Sequence, residues 1–406
     1  MKTIAPEQLL VILLISSRRV TAILAMTHPE QGERVLAHKN IDCLWHELSA
    51  RGRIEVAADA LRAVCEVAEV EPLSVFLSCN DVSIASRIGM GWSSPGDEIP
   101  LTYAERSWAL RRAREQATGA DREVVAVLPV QWTVRGRNGE KEVDDPVGCV
   151  GNHLTCQALL VSARRGYRQE MEAVAQGLGL ELEEVIPQPL ALYRGISGKL
   201  RMRGSSIVID FGARHTNVLV RRKDKLLHVE TFDFGGDNLT ARLAESLNLS
   251  REQAESLKHE VDIGMCTVGA GSGQGQQFIW NDLQERHALL GPATHIVSEA
   301  VSTFFKERAR DLREHGYLAQ QGQIHLVGRA SALNGLTLSL RDIFDLPVVL
   351  GTGDRNRHPS DELDGILATG LVCSAADHRR EHLALQAGSL RTRASGVWSW
   401  LTHSLT

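Results

Sequence analysis

Two segments of similar pattern, one in each half of the chain, constrain the fold most. In the first, Leu9–Ile15 and Val20–Leu24 are separated by Ser-Ser-Arg-Arg; in the second, Val218–Val220 closely follows Ile207–Asp210. Short apolar runs bounded by polar residues are typical of buried strands, so each segment predicts a strand hairpin. A hairpin that opens each half indicates an internal duplication, which would account for a chain of 406 residues.

The first hairpin segment has a competing interpretation. Its apolar run follows Lys2 and resembles the hydrophobic region of a secretory signal. The run is too short to span a bilayer, and apolar sequence resumes after the turn, which favours buried strands. No other stretch approaches the roughly 18 apolar residues of a membrane-spanning helix, so none is predicted.

Between and after the hairpins the pattern predicts an α/β architecture. Further strands are predicted at Ser74–Leu77 and Ile324–Val327. Apolar residues at three- and four-residue spacing predict helices at Ile54–Ala68, Arg168–Gly177, Thr240–Leu247, Ser298–Arg313 and Leu333–Phe344. The segment 84–162 interrupts this rhythm with several prolines and the strand-like run Val124–Val134, and it predicts an inserted α+β subdomain.

Composition excludes several classes of protein. Lys and Arg number 45 against 50 Asp and Glu, which is far from the basic balance of a nucleic-acid-binding protein. The seven cysteines lack CxxC spacing, which predicts free or buried thiols, and no zinc cluster is indicated.

The C-terminal segment carries two of the seven tryptophans. Residues 375–395 are polar, without apolar periodicity, and are predicted to form a flexible linker. At about 100° per residue, the apolar side chains of 396–406 share one face of a helix, opposite Ser399, Thr402 and His403. Such a helix either docks onto its own domain or binds an anionic membrane surface. The candidate membrane-binding residues are Val397, Trp398, Trp400, Leu401 and Leu405.

Several glycines follow predicted strands. Asp210-Phe211-Gly212 ends a strand, and the Gly235-Gly236 pair leads into a helix. Gly328 closes the late strand. An acid followed by glycine permits close approach to a phosphate and lets the carboxylate hold hydrated Mg²⁺, although Asp-x-Gly is also common in turns. The glycine-rich run Gly269–Gly275 lacks the Lys-Ser/Thr of a phosphate loop and is predicted to be a surface loop.

The order of these elements resembles the actin-like ATPase superfamily, a two-lobed fold built from duplicated ribonuclease-H-like halves. The chain carries Gly-Gly-x-x-Leu-Thr-x-x-Leu-Ala from Gly235, Ala-Glu-x-x-Lys from Ala254 and a late strand-Gly ending at Gly328. More narrowly, Leu128-Pro-Val-Gln-Trp-Thr-Val134 and Asp145-Pro-Val-Gly-Cys-Val-Gly-Asn-His-Leu154 resemble the inserted subdomain of the FtsA family of bacterial cell-division proteins.

The resemblance implies a domain organisation. It places a first-lobe core at 1–83 and 163–203, the FtsA-type insert at 84–162, a second-lobe core at 204–245 and 318–374, a smaller second-lobe subdomain at 246–317, the linker at 375–395 and the amphipathic helix at 396–406.

The resemblance also implies ATP with Mg²⁺ between the lobes. Asp210 would face Mg²⁺ through water, and Gln188 stands near the position that orients the attacking water in the superfamily. Glu255 and Lys258 match residues that flank the adenosine. The implied nucleotide-binding residues are Ser16, Ser17, Asp210, Gly212, Gly235, Gly236, Glu255, Lys258 and Gly328.

The nucleotide turns depart from the family pattern. Leu14 stands where the Mg²⁺-side acid is usual, Ser16 replaces the close-approach glycine, and Arg329 replaces the second glycine of the adenosine turn. The second phosphate turn reads Ala213–Asn217 where Gly-Gly-Thr-x-Asp is usual. Losing one of two acids near the metal predicts weak or absent ATPase activity, although Arg18, Arg19 and Arg214 would still neutralise a triphosphate.

The function implied is that of a division protein on the cytoplasmic face of the inner membrane. It would bind anionic lipid through its tail, polymerise head-to-tail, and receive the C-terminal tail of the tubulin-like protein FtsZ, with other division proteins as further possible partners and no nucleic acid. A pilus-assembly adaptor with an actin-like body and a sugar-kinase-type phosphotransferase are the alternatives. The degenerate turns and the type of insert count against the kinase.

Overall fold

The structure is a computed structural model of the chain. It describes residues 8–28, 32–116, 119, 121–199, 204–223, 225–264, 283–318, 322–351 and 359–386.

The first half of the chain alternates strands and helices around one long insert. Its elements are β1 (Leu9–Ser16), β2 (Arg19–His28), β3 (Gly32–Asp42), α1 (Ala50–Ala68), β4 (Ser74–Cys79), β5 (Ala85–Ser93), β6 (Ile99–Pro100), α2 (Tyr103–Glu115), β7 (Arg122–Gly136), β8 (Gly139–Val143), β9 (Val150–Gly151), β10 (His153–Arg164), α3 (Tyr167–Gly177), β11 (Glu181–Val185) and α4 (Gln188–Lys199).

The second half repeats the opening hairpin and is richer in helices. Its elements are β12 (Ser205–Phe211), β13 (Thr216–Arg222), β14 (Lys225–Phe232), α5 (Gly236–Leu247), α6 (Arg251–Lys258), α7 (Leu283–Glu314), β15 (Gln323–Val327), α8 (Leu336–Phe344), β16 (Val348–Leu350) and α9 (Pro359–Gln386). Every predicted strand lies within one of these strands; the predicted helix at 333–344 begins three residues later, at Leu336, because a short 3₁₀ turn over Arg329–Ala332 precedes it.

The described chain forms two compact units. The first unit comprises Met1–Arg201, Lys225–Thr231 and Gly365–Thr406, and the second comprises Met202–Asp224 and Phe232–Asp364. The prediction assigned residues 365–374 to the second-lobe core, whereas they pack with the first unit.

The first unit is built on a five-stranded sheet in the order β3-β2-β1-β4-β11. β1 pairs antiparallel with β2 and parallel with β4, which in turn pairs parallel with β11. The side chains of β1 from Leu9 to Ile15 are all buried, because this central strand is covered on both faces. The run that competed as a secretory signal is therefore a core strand.

The strands of the insert form an antiparallel sheet that continues into β14, which pairs with β5. β10 lies between β5 and β7, β7 pairs with β8, and α2 packs across the sheet. Trp132, Leu154 and Leu160 belong to a core cluster formed within the insert. α2 lies very close to the backbone of β5: a Cβ at Gly91 would stand 1.8 Å from the carbonyl oxygen of Ala109.

The second unit repeats the connectivity of the first. β12 pairs antiparallel with β13 and parallel with β15, and β15 pairs parallel with β16. Its helices α5 to α8 bury one apolar cluster, in which the Phe211 ring meets the Phe305 ring edge to face at 5.7 Å. The predicted duplication is therefore present in the order and direction of the strands.

The end of α9 corrects the predicted linker. Residues 375–386 continue the helix, and Ala375 and Ala376 are buried. Arg379 donates through Nε to Glu183 of β11 at 2.9 Å, and Arg194 of α4 donates to Asp377 at 2.7 Å. Residues 375–386 include few large apolar side chains, because small side chains and ion pairs hold this end of α9 on the first unit.

α9 also approaches α4 at unusually close range. A Cβ at Gly370 would stand 1.9 Å from the Ala191 carbonyl oxygen, and one at Gly195 would stand 1.9 Å from the Ile366 carbonyl oxygen. Two glycines that face the opposite backbone let the helices touch, and this contact places residues 365–374 in the first unit.

Candidate functional site

The acid predicted to face Mg²⁺ lies in the second unit at the end of β12. Asp210 is buried, and its direct partner across the hairpin is Asn217, whose Nδ2 donates to the Asp210 carboxylate at 2.9 Å. Burial raises the pKa of Asp210 to about 6, and the Asn217 hydrogen bond opposes that rise without cancelling it. The apolar strand therefore holds an acid that is partly protonated near neutral pH.

The raised pKa of Asp210 makes the stability of the fold depend on pH. The folded pKa exceeds the unfolded value of about 3.9, so the native state binds this proton more tightly. The resulting stability is fully present below pH 4 and is lost as the pH rises through about 6.

Replacing Asp210 by Asn should therefore stabilise the protein at pH 8 and have little effect at pH 4. The expected gain in the free energy of unfolding is up to about 3 kcal/mol, because one pKa unit corresponds to about 1.4 kcal/mol. Urea denaturation in EDTA at both pH values measures it. Asp342→Asn, at a side chain that is 70% exposed, is the control. Equal shifts at both pH values for Asp210→Asn would contradict the prediction.

The glycine pair at the start of α5 meets the turn after β12. The amide of Gly236 donates to the Gly212 carbonyl oxygen at 3.0 Å, and the amide of Asp237 donates to the Ala213 carbonyl oxygen at 2.7 Å. Asn238 accepts from the Gly235 amide at 2.8 Å. The first amides of α5, which in many proteins bind phosphate, are thus occupied by the chain itself.

Lys258 and Glu255 lie together on α6, beside the same glycine pair. Nζ of Lys258 donates to the Glu255 carboxylate at 2.8 Å, to Thr240 Oγ1 at 2.9 Å and to the Gly236 carbonyl oxygen at 3.2 Å. Burial alone would raise the pKa of Glu255, but hydrogen bonds from His259, Lys258 and Thr240 and the Lys258 charge hold it well below its usual range. The three donors of this ammonium therefore have partners inside the second unit.

Gly328 ends β15 beside Asp210. Its φ of +100° favours glycine, and a Cβ there would stand 2.3 Å from the Phe211 carbonyl oxygen and 2.7 Å from Oδ1 of Asp210. Arg329, the next residue, lies 4.0 Å from Asp364. The structure thus brings Asp210, Gly212, Gly235, Gly236, Glu255, Lys258 and Gly328 into one connected set of contacts within the second unit.

The first-unit candidates lie at the carboxyl ends of its strands. Ser16 pairs with Arg19 in the hairpin register, so Ser17 and Arg18 form a two-residue turn, and the Ser16 hydroxyl donates to the Arg19 carbonyl oxygen at 2.9 Å. The corresponding turn of the second unit, Gly212–His215, has four residues. The carbonyl oxygens of Ser17 and Arg18 accept from the amides of Trp45 and Cys43.

Gln188 begins α4, and two residues separate it from the end of β11. Its side chain is buried, and Oε1 has no hydrogen-bond partner within the described ranges. An unsatisfied buried amide oxygen is costly, so the position is compatible with a polar ligand or water.

The residues do not fit a catalytic Mg²⁺–triphosphate site. In the second unit, the first amides of α5 and the Lys258 ammonium are occupied internally. In the first unit, Leu14 is buried and the turn at Ser17 and Arg18 has only two residues. Over the part of the chain that the structure describes, no three His, Cys, Asp or Glu side chains assemble as metal ligands.

Two residues that hydrogen-bond to predicted site residues were not themselves among the predicted ones. Asn217 is identifiable from the hairpin register, because it lies directly opposite Asp210. Thr240 is identifiable only as part of the Gly235–Ala244 element, since its contact with Lys258 depends on how α5 and α6 pack.

Other predicted residues lie outside the described ranges. These are the glycine-rich run at 269–275 and the membrane-binding candidates Val397, Trp398, Trp400, Leu401 and Leu405. Among the helices that are described, none combines the length and the apolar character needed to cross a bilayer.

Family models match both the core and the insert. Residues 207–371 match the model described as Cell division protein FtsA, and residues 92–162 match the model of the SHS2 domain inserted in FtsA. The first match contains the whole second-unit contact set, and the second match contains α2, β7, β8 and most of β10.

Curated relatives carry the same description. A cell division protein FtsA of Streptococcus pneumoniae is 24% identical over 304 residues, which cover 73% of this chain and 65% of the relative. One of Bacillus subtilis is 23% identical over 251 residues, covering 62% of this chain and 56% of the relative. The matched parts thus span less than two thirds of either relative.

Among solved structures, the PilM–PilN type IV pilus biogenesis complex aligns over 90% of this chain and 98% of the matched chain, with a TM-score of 0.59 and 16% identity. At that identity the likeness shows the fold alone. The predicted actin-like ATPase fold with an inserted SHS2 subdomain is confirmed, apart from the C-terminal helix, which the structure does not describe. The chain belongs to the FtsA family of cell-division proteins.

Proposed function

We propose that this protein assembles on the cytoplasmic face of the inner membrane and tethers FtsZ filaments to it during cell division. The observation that carries the proposal is the pair of FtsA matches, one to the core and one to the insert. The amphipathic pattern of 396–406 supplies the membrane contact, and the protein is peripheral. Its partners are FtsZ, anionic lipid and further copies of itself, with no nucleic acid.

Head-to-tail assembly would strengthen the membrane contact. A single short amphipathic helix binds lipid reversibly and weakly. An array presents many such helices at once, so the second and later helices bind at high effective concentration. Assembly and membrane binding would therefore reinforce each other.

The FtsZ tail is assigned to the smaller second-lobe subdomain, residues 246–317. Described helices of this region are α6 and α7, both of which lie wholly within it. The family resemblance supports this assignment.

Reconstitution on supported bilayers tests the tether. Fluorescent FtsZ filaments should appear on an anionic bilayer only when this protein is present, and deletion of residues 396–406 should abolish that recruitment. FtsZ recruitment by the truncated protein would refute the tether.

We further propose that ATPase activity is weak or lost, in keeping with the internally occupied amides and ammonium of the second unit. Phosphate release from saturating Mg²⁺–ATP should be no faster for the wild type than for Asp210→Ala. Turnover at an ordinary kinase rate that disappears in Asp210→Ala would overturn this proposal. Nucleotide binding without hydrolysis is measured separately, by equilibrium binding of a fluorescent ATP analogue.

The alternatives are distinguished by the same truncation. A pilus-type adaptor would be held at the membrane by a partner's peptide, so its localisation in cells would survive loss of 396–406. The FtsA-type insert at 92–162 favours the division protein over both the adaptor and a sugar kinase.

A further inference from the structure

The insert exposes two tryptophans, each covered by an arginine. Trp108 of α2 is 51% exposed and Trp92 of β5 is 43% exposed. The guanidinium carbon of Arg111 lies 4.7 Å from the Trp108 ring centroid, and that of Arg112 lies 5.1 Å from the Trp92 ring centroid. We call these four residues the Arg–Trp face.

The charges of the Arg–Trp face are not neutralised locally. Within the described ranges, neither Arg111 nor Arg112 forms an ion pair with a carboxylate. Arg112 donates only a long hydrogen bond, 3.3 Å, to the Trp92 carbonyl oxygen. Exposed Trp and Arg side chains are the residue types that contribute most to protein interfaces, and stacking holds both in place before a partner arrives.

A surface of opposite character lies at the end of α1, also in the first unit. Leu73 is 81% exposed and Val67 is 72% exposed, the two highest exposures among large apolar side chains in the described part of the chain. Glu66, Glu69 and Glu71 lie next to them in the sequence and are exposed. No ion pair of these carboxylates occurs among the residues that the structure describes. We call these five residues the Glu–Leu corner.

We propose that the Arg–Trp face of one copy binds the Glu–Leu corner of the next copy. The two surfaces match in chemistry, since each offers exposed apolar side chains beside unneutralised charge of opposite sign. Because the contact joins two different surfaces, a copy bound through one of them keeps the other for a further copy, and head-to-tail contacts of this kind build a ring or an open chain. This inference rests on the self-assembly contained in the proposed function and assigns the surfaces that perform it.

Charge reversal in solution tests the contact without lipid or FtsZ. Sedimentation velocity of the full chain at rising concentration should show the wild type associating, and less so at high salt, because the contact is exposed and ionic. Arg111→Glu/Arg112→Glu should raise the dissociation constant at least about tenfold, and Glu66→Lys/Glu71→Lys should do the same, because each places like charges together.

Mixing the two charge-reversal variants is the decisive test of the contact. The Arg–Trp face made acidic in Arg111→Glu/Arg112→Glu then meets the Glu–Leu corner made basic in Glu66→Lys/Glu71→Lys. The unaltered Arg–Trp face of the second variant also matches the unaltered Glu–Leu corner of the first, so association should return. The control variant Arg51→Glu/Arg310→Glu changes two exposed arginines, one on α1 and one on α7, that lie outside both surfaces. It lowers the net charge by as much as Arg111→Glu/Arg112→Glu does, and it should associate like the wild type. Unchanged thermal unfolding confirms that each variant is folded.

A wild type that stays monomeric at every concentration would overturn the proposal, as would variants that associate normally or a mixture that fails to recover. A monomeric wild type whose Arg–Trp variant loses binding to anionic vesicles would assign that face to lipid instead. Vesicle binding through residues 396–406 is measured separately, so a wild type that does not self-associate but still binds vesicles refutes these surfaces and leaves the tether standing.

Discussion

Replacing Trp398 and Trp400 together by glutamate is expected to abolish binding of the protein to anionic vesicles. An indole that is about half buried at the headgroup level removes on the order of 100 Å² from water, worth about 2.5 kcal/mol. Two such losses, with two new charges that anionic lipid repels, predict a fall in the partition coefficient of at least about 100-fold. Vesicle co-sedimentation across a lipid titration measures it.

The chain offers a matched control for that experiment. Ser399→Glu/Thr402→Glu adds the same two negative charges on the opposite side of the helical wheel and leaves the apolar face intact. It should lose far less affinity than the tryptophan variant. If both variants fall equally, charge alone explains the loss and the indoles do not insert; if neither falls, the tail is not the membrane contact.

The substitution Gly91→Ala is expected to cause a large loss of stability in the insert. The added Cβ would stand 1.8 Å from the Ala109 carbonyl oxygen and 2.7 Å from the Ala113 amide nitrogen, both backbone atoms of α2. Since no rotamer change relieves a backbone clash, α2 must move off β5 and open the core around Trp132. Overpacking usually costs 1–3 kcal/mol, and this rigid case should cost on the order of 4 kcal/mol.

Urea denaturation followed by tryptophan fluorescence measures the effect. Gly52→Ala is the control, because a Cβ there meets nothing closer than 3.5 Å and lies within α1. Alanine is favoured over glycine inside a helix, so this variant should gain about 0.5–1 kcal/mol. If the free energy of unfolding changes in the same direction in both variants, the loss of glycine itself, and not contact with α2, determines the outcome.

Much of the fold could be predicted because the apolar runs of the sequence coincide with the buried strands and helices of the structure. Leu9–Ile15 is an unbroken apolar run, and every one of its side chains is buried in the central strand β1. The end of α9 could not be predicted in this way. Its inward positions are Ala375, Ala376 and the paired Asp377, so the sequence shows no stripe of large apolar residues even though the helix is packed.

The candidate site was predictable in part for a related reason. Asp210 lies near the end of β12, and Gly328 directly follows β15. Both strands are predicted by their apolar sequence, and the structure places the two residues side by side. The bonds from Lys258 to Thr240 and to the Gly236 carbonyl oxygen depend on how two helices pack, and no local pattern encodes that. Sequence alone therefore predicted residues that the structure brings into contact, but it did not reveal that the chain satisfies their hydrogen-bonding groups internally.

The ion pairs near the end of α9 also determine where tension on the C-terminal segment would be borne. Arg379 binds Glu183 of β11 and the Leu9 carbonyl oxygen of β1, while Arg380 reaches Glu33 of β3 at 2.7 Å. Those strands include both outer edges of the first-unit sheet and its centre. A pull entering through Gln386 is thus shared across the whole sheet, as the tether proposed for residues 396–406 would require.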